Sequence, residues 1–111
     1  KALLRRSGAE QESLLICGDV VLDREKRTVI AHGEPVETTY KEFELLVLLV
    51  KAKGKVFTRN EILTNVWGYD FDGESRTVDV HVRTLRSKLG SAGNLIETVR
   101  GIGYKIGGAN D

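Results

Sequence analysis

Arg76-Thr77-Val78-Asp79-Val80-His81-Val82-Arg83-Thr84-Leu85-Arg86-Ser87-Lys88-Leu89 is the stretch on which the fold turns. Wound as a helix, it gathers Val78, Val82, Leu85 and Leu89 into a single apolar stripe. The opposite side carries Arg76, Thr77, Val80, Arg83, Thr84 and Ser87, while His81 and Arg86 flank the stripe. No acid lies on that outward side. Asp79 falls on the flank, within reach of Arg76 at i−3 or Arg83 at i+4. Gly90 follows as a stop.

Such a helix needs a core to cover, and the preceding residues supply it. Thr39-Tyr40-Lys41-Glu42 is a capping box, with Thr and Glu satisfying each other's backbone N–H groups. Phe43, Leu46, Val47 and Val50 recur at helical spacing behind it. Leu45, Leu48 and Leu49 make this helix apolar on most sides, which marks it as the central one, and Lys51, Lys53 and Gly54 favour its end. Thr58-Arg59-Asn60-Glu61 is a second capping box. It opens a short helix that turns Ile62, Leu63, Val66 and Trp67 inward and closes at Gly68. An acidic and aromatic loop, Tyr69-Asp70-Phe71-Asp72-Gly73-Glu74-Ser75, leads into the third helix, 76–89.

Both ends read as strands. Segments 14–17, 19–22, 27–31 and 34–37 are short, β-branched and punctuated by Gly18, Asp23-Arg24-Glu25-Lys26 and Gly33, as in hairpins. Pro35 cannot donate to a ladder, so the fourth belongs at an edge. Segments 95–99 and 104–106 form a hairpin around Arg100-Gly101-Ile102-Gly103. The order predicts an α+β fold: a winged helix-turn-helix with an N-terminal four-stranded antiparallel sheet, three helices and a C-terminal β-hairpin wing. There are no internal repeats. Residues 1–13 read as the end of a helix and a linker, 14–107 as the folded domain and 108–111 as a fraying tail.

Composition narrows the function. The chain has 111 residues, 17 Lys+Arg, 16 Asp+Glu, one Cys and two His. One compact domain fits that length. A single cysteine allows no internal disulfide and suits a reducing compartment, so a cytoplasmic location is expected. One Cys and two His cannot furnish a structural zinc site. The longest apolar run, 45–50, is far short of the ~20 residues of a membrane span. Gly101-x-Gly103 is no dinucleotide loop, since Ile106 stands at the third glycine position and no helix follows. There is no HExxH, no nucleophile elbow and no complete EF-hand loop. Neither catalysis nor a cofactor is implied. The chain contains no methionine, which suggests a fragment or processed chain whose upstream part is missing.

Net charge, +1, gives no indication of partner until it is resolved by position. From Arg76 to Lys105 six basic residues face two acids, Asp79 and Glu97. An amphipathic helix usually just presents a solvated face. Here the outward face lacks acids, carries small hydroxyls that allow close approach, and exposes Val80, a natural partner for a thymine methyl. Arg76 and Arg83 supply donors that phosphate and guanine both accept. Arg100 at the hairpin tip is free to enter a groove. For single residues the bland readings stand beside these. Trp67 is a core aromatic or a rim indole, and His81 is buried or a phosphate contact. Cys17 is a packed small hydrophobe and His32 an exposed turn residue. Tyr69, Asp70, Phe71, Asp72 and Glu74 form either a solvated loop or a protein contact.

With these residues in hand, the chain resembles the DNA-binding effector domain of the OmpR/PhoB family of bacterial response regulators. The resemblance covers about 14–107. It rests on Thr39-x-x-Glu42-Phe43-Glu44-Leu45-Leu46, Thr58-Arg59, Val66-Trp67-Gly68, the 76–83 run with Leu85-Arg86-x-Lys88-Leu89, and Ile96-x-Thr98-Val99-Arg100-Gly101-x-Gly103-Tyr104. It implies that the third helix lies in the major groove of double-stranded DNA, with Thr77, Asp79, Val80 and Thr84 toward bases. Asp79 would orient neighbouring arginines or reach a base edge. Arg59, Trp67, Arg76, His81, Arg83 and Arg86 match positions that touch phosphates. Thr98 and Arg100 match the wing, with Arg100 in the minor groove. Loop 68–75 would meet RNA polymerase, and tandem copies would bind direct repeats, each copy a monomer when alone. An upstream receiver domain and a sensor kinase would supply control, and residues 1–7 resemble the end of such a receiver. Thr84 stands where many relatives carry Arg or Lys, which implies a different base preference. Thr38 replaces the usual leucine before the first cap, a slightly weaker staple. The rival readings are a winged-helix protein-interaction module and a DNA-binding domain coupled to another sensor.

Overall fold

The computed structural model describes residues 14–68, 74 and 76–107. Residues 1–13 and 108–111, expected to be linker and tail, and the loop residues Tyr69, Asp70, Phe71, Asp72, Gly73 and Ser75 lie outside the described residues.

Four strands open the chain: β1 (Leu14–Cys17), β2 (Val20–Asp23), β3 (Thr28–Ala31) and β4 (Glu34–Val36), paired antiparallel in sequence order. Alternation decides which face is buried. Leu15, Leu22, Val29 and Val36 stand in register across the sheet, as do Cys17, Val20 and Ala31 at its end, and these face the core. Ile16, Val21, Ile30 and Pro35 form the matching row on the other face. Pro35 is on the edge strand, where its missing N–H breaks no ladder. The Asp23 carboxylate turns the chain between β2 and β3 by accepting the N–H groups of Glu25 and Lys26 at 3.0 and 3.1 Å.

Helix α1 (Tyr40–Lys51) begins with the expected capping box, Thr39 Oγ1 accepting the Glu42 N–H and Glu42 Oε1 accepting the Thr39 N–H. Phe43, Leu45, Leu46, Leu49 and Val50 are buried, which makes α1 the central helix. The second box, Thr58 and Glu61, starts α2 (Arg59–Trp67), closed by the Gly68 N–H donating to the Leu63 and Thr64 carbonyls. Ile62 and Val66 are buried, while Leu63 and Trp67 are only half-buried. Helix α3 (Arg76–Leu89) has the expected limits and buries Val78, Val82, Leu85 and Leu89.

The C-terminal part is richer than a plain hairpin. A 3-10 turn (Gly90–Leu95) leads into the wing strands, and a two-residue strand, β5 (Phe57–Thr58), precedes α2. The wing strands β6 (Ile96–Val99) and β7 (Gly103–Ile106) pair with each other, and β7 also pairs with β5, in the order β5-β7-β6. The wing is therefore a three-stranded sheet whose outer strand is the entry to α2. Gly103 makes that pairing possible, because a Cβ there would sit 1.9 Å from the Phe57 carbonyl oxygen.

Candidate nucleic-acid interface

Turning the apolar stripe of α3 into the core leaves its other side open. Arg76, Val80, Arg83 and Ser87 are exposed, and Thr77 and Thr84 are half-buried. Val80 is 57% exposed and offers an apolar contact between the arginines. Thr84 Oγ1 donates to the Val80 carbonyl at 3.1 Å, which spends its proton within the helix and leaves the oxygen as an acceptor. The exposed Arg76 lies 3.5 Å from Glu74, itself in solvent, a weak pair by its exposure. Among the described residues Arg83 makes no ion pair.

Asp79 does not take the partners that helical spacing suggests. Its Oδ1 accepts Arg59 Nε at 2.7 Å and the Tyr104 hydroxyl at 2.6 Å, so it joins α3 to α2 and β7 rather than to Arg76 or Arg83 by hydrogen bonds. Partial burial pushes its carboxyl up, but the bonds from Tyr104 and Arg59, with the charges of Arg59 and Arg76, hold it below the ordinary carboxylate range. Burial and the Asp79 carboxylate both raise the Tyr104 phenol. The carboxylate is thus the ionised acceptor and the phenol the donor.

Arg86 is pinned as well. Its Nε and Nη2 donate to the Ile96 carbonyl at 3.1 and 2.8 Å, and Nη2 also reaches Thr98 Oγ1 at 2.7 Å. Lys88 donates to buried Glu42 at 2.7 Å. His81 Nδ1 lies 2.9 Å from the Thr77 carbonyl, which can only accept, so Nδ1 carries the proton. The ring meets Trp67 edge-on at 4.8 Å between centroids, which makes these two half-buried residues one unit at the rim of α3. His32 is exposed as expected but not idle. It contacts Asp19 at 3.1 Å and Ser91 at 2.8 Å, tying the N-terminal sheet to the 3-10 turn.

At the wing tip the Ile102 N–H donates to the Val99 carbonyl at 2.9 Å, and Gly101 takes φ 77°. This is the left-handed third position of a type II turn, where glycine is favoured. Arg100 is exposed at its second position. Ile102, 50% exposed, has no role in the sequence reading, nor has the Tyr104 hydroxyl. Tyr104 stands in the Gly103-Tyr104 motif, but its partner is 25 residues away.

Relatives agree with this geometry. The family described as transcriptional regulatory protein, C terminal, matches residues 33–106. The chain is 45% identical over 106 residues to the regulatory protein VanRB of Enterococcus faecalis, covering 96% of this chain and 47% of that one. It therefore spans about half the length of that curated relative. Among solved structures, the RstA DNA-binding domain of Klebsiella pneumoniae in complex with the RstA box aligns with TM-score 0.75 and 33% identity, over 85% of this chain and 96% of that one. The response regulator DrrB of Thermotoga maritima, an OmpR/PhoB homolog, aligns with TM-score 0.78 and 30% identity, over 93% of this chain and 49% of that one. With its three helices, wing and exposed arginines on α3, the chain belongs to this transcriptional regulatory C-terminal family, the DNA-binding domains of OmpR/PhoB-type response regulators.

Proposed function

We propose that this domain, residues 14–107, binds double-stranded DNA sequence-specifically and regulates transcription as the output half of a cytoplasmic two-component regulator. The carrying observation is the exposed face of α3, on which Arg76 and Arg83 bracket an outward Val80 while the neighbouring Asp79 is bonded to Arg59 and Tyr104. In this reading α3 enters the major groove, Thr77, Val80 and Thr84 approach base edges, and Arg76 and Arg83 meet phosphates. Arg59, Trp67, His81 and Arg86 line the rim and add phosphate contacts. A phosphate contact through His81 Nε2 needs the imidazolium, because Nδ1 already donates its proton to Thr77. Thr98 and Arg100 belong to the wing, with Arg100 in the minor groove. The RstA DNA-binding domain, solved in complex with its RstA box, supports DNA binding as the role of this domain.

The remaining partners follow from the same reading. Tandem copies occupy direct repeats, an upstream receiver and its kinase control them, and Glu74 with Tyr69, Asp70, Phe71 and Asp72 meets RNA polymerase. Among the described residues no helix is long and apolar enough to cross a membrane.

Selection from random DNA tests the proposal. It is expected to return a repeated motif, with log K falling against log salt at a slope of about −5 if some six phosphates are neutralised. A double variant, Arg83→Ala with Arg100→Ala, should lose most of that affinity. Binding by this variant as tight as wild type would overturn the groove assignment. Weak binding to every sequence, with little salt dependence, would favour a protein-interaction module.

A further inference from the structure

Three elements meet at one carboxylate. Asp79 lies in the first turns of α3, Arg59 is the first residue of α2, and Tyr104 sits in β7. Both bonds converge on the same oxygen, Asp79 Oδ1. The guanidinium groups of Arg59 and Arg86 also lie 5.8 and 5.7 Å from the Tyr104 ring centre. Arg86 in turn holds Thr98 and the Ile96 carbonyl in β6. A continuous polar path thus runs from the reading face of α3 through Tyr104 to both wing strands.

Resting on the DNA-binding reading above, we infer that Asp79 and Tyr104 are positioning residues that hold the wing at a set angle to α3, so that Arg100 and the α3 side chains engage one DNA site together. Asp79 then does not read a base. Its Oδ1 already accepts one charged and one phenolic donor, from Arg59 and Tyr104, and these two bonds fix the carboxylate toward α2 and β7. The path also explains why the wing needs a fixed orientation at all. A two-stranded hairpin alone is marginally stable in water, whereas this one is anchored by β5 on one side and by the Asp79–Tyr104 bond on its face.

A double-mutant cycle distinguishes positioning from simple stabilisation. Affinity for the selected site is measured for wild type, Arg100→Ala, Tyr104→Phe and the double variant. Arg100→Ala alone should weaken binding about tenfold. Tyr104→Phe, which removes one hydroxyl, should weaken it comparably, with the folded circular-dichroism spectrum retained and the melting midpoint lowered by no more than about 5 °C. In the Tyr104→Phe background, Arg100→Ala should then cost less than twofold, since a wing no longer held in place gains nothing from its arginine. A second variant, Asp79→Asn, keeps an acceptor oxygen for the phenol and should retain most of the Arg100 effect.

Equal Arg100 costs in both backgrounds would overturn the inference, as would wild-type affinity for Tyr104→Phe. So would an Asp79→Asn change confined to the preference at a single base pair, the signature of a base reader. A wild-type chain that selects no DNA site would instead sink the DNA-binding reading itself, and this inference with it.

Discussion

Gly103 leaves no room for a methyl group, and that constraint can be set against another glycine of the same hairpin. Gly101 has a positive φ but open space around its Cβ position, whereas Gly103 has the Phe57 carbonyl 1.9 Å from where a Cβ would be. Alanine at position 101 meets only the left-handed backbone penalty, about 1 kcal/mol. Alanine at position 103 must push β7 away from β5, and a loss of more than about 2 kcal/mol is expected. Chemical denaturation of the two variants checks the ranking. Equal losses would mean that the β5–β7 contact contributes little. The same scale explains which single-residue readings came out of sequence. The exposure of Val80, Arg83 and Arg100 follows from helical phase and from turn chemistry, both local. The partners of Asp79 and His32 do not, because a carboxylate or imidazole bonds to whatever the tertiary fold brings near, here residues 13 to 59 positions away.

Elements were legible where their signals are periodic or chemically paired. Two Thr-x-x-Glu boxes mark the starts of α1 and α2, and the apolar stripe with Gly90 marks the limits of α3. The box at α2 also gives a measurable consequence. Thr58→Ala removes the acceptor of the Glu61 N–H, a 3.0 Å bond, and should cost about 1 kcal/mol, read as a shift in urea midpoint with an unchanged slope. The strand β5 was not legible. Two residues carry no period, and its pairing depends on a partner strand far along the chain. For the same reason the sequence suggested a two-stranded wing where the molecule has three. Pro35 worked in the opposite direction, since a residue that cannot donate a hydrogen bond announces an edge by itself.

At the scale of the whole molecule, the near-zero net charge conceals an arrangement. The basic residues of α3 divide between solvent and structure, with Arg76 and Arg83 outward and Arg86 and Lys88 bonded to the wing and to α1. Glu42 is the acid that receives Lys88. Burial pushes its carboxyl up, but the bonds from Lys88 and Thr39, and the charges of Lys88 and His81, carry it below the ordinary range. A carboxyl depressed in the folded state contributes stability above the unfolded value, about pH 4.3, and that contribution is lost as pH falls through the folded value. Unfolding free energy should therefore stay level from pH 7 to about 5.5 and fall below about pH 4.5. Glu42→Gln, less stable by about 1–3 kcal/mol at pH 7, should converge on wild type in acid, and parallel curves would refute this role for Glu42. Asp79 acts in the same direction, so the variant removes only part of the slope. The three-stranded wing bears on the order in which the molecule can be completed. Phe57 pairs with Tyr104, so the N-terminus of α2 and the arginine that opens it are secured by one of the last strands of the domain. On a ribosome, α1, α2 and α3 emerge first and wait. The surface proposed to meet DNA takes its final form only when Gly103 and Tyr104 have cleared the exit tunnel and can pair with Thr58 and Phe57.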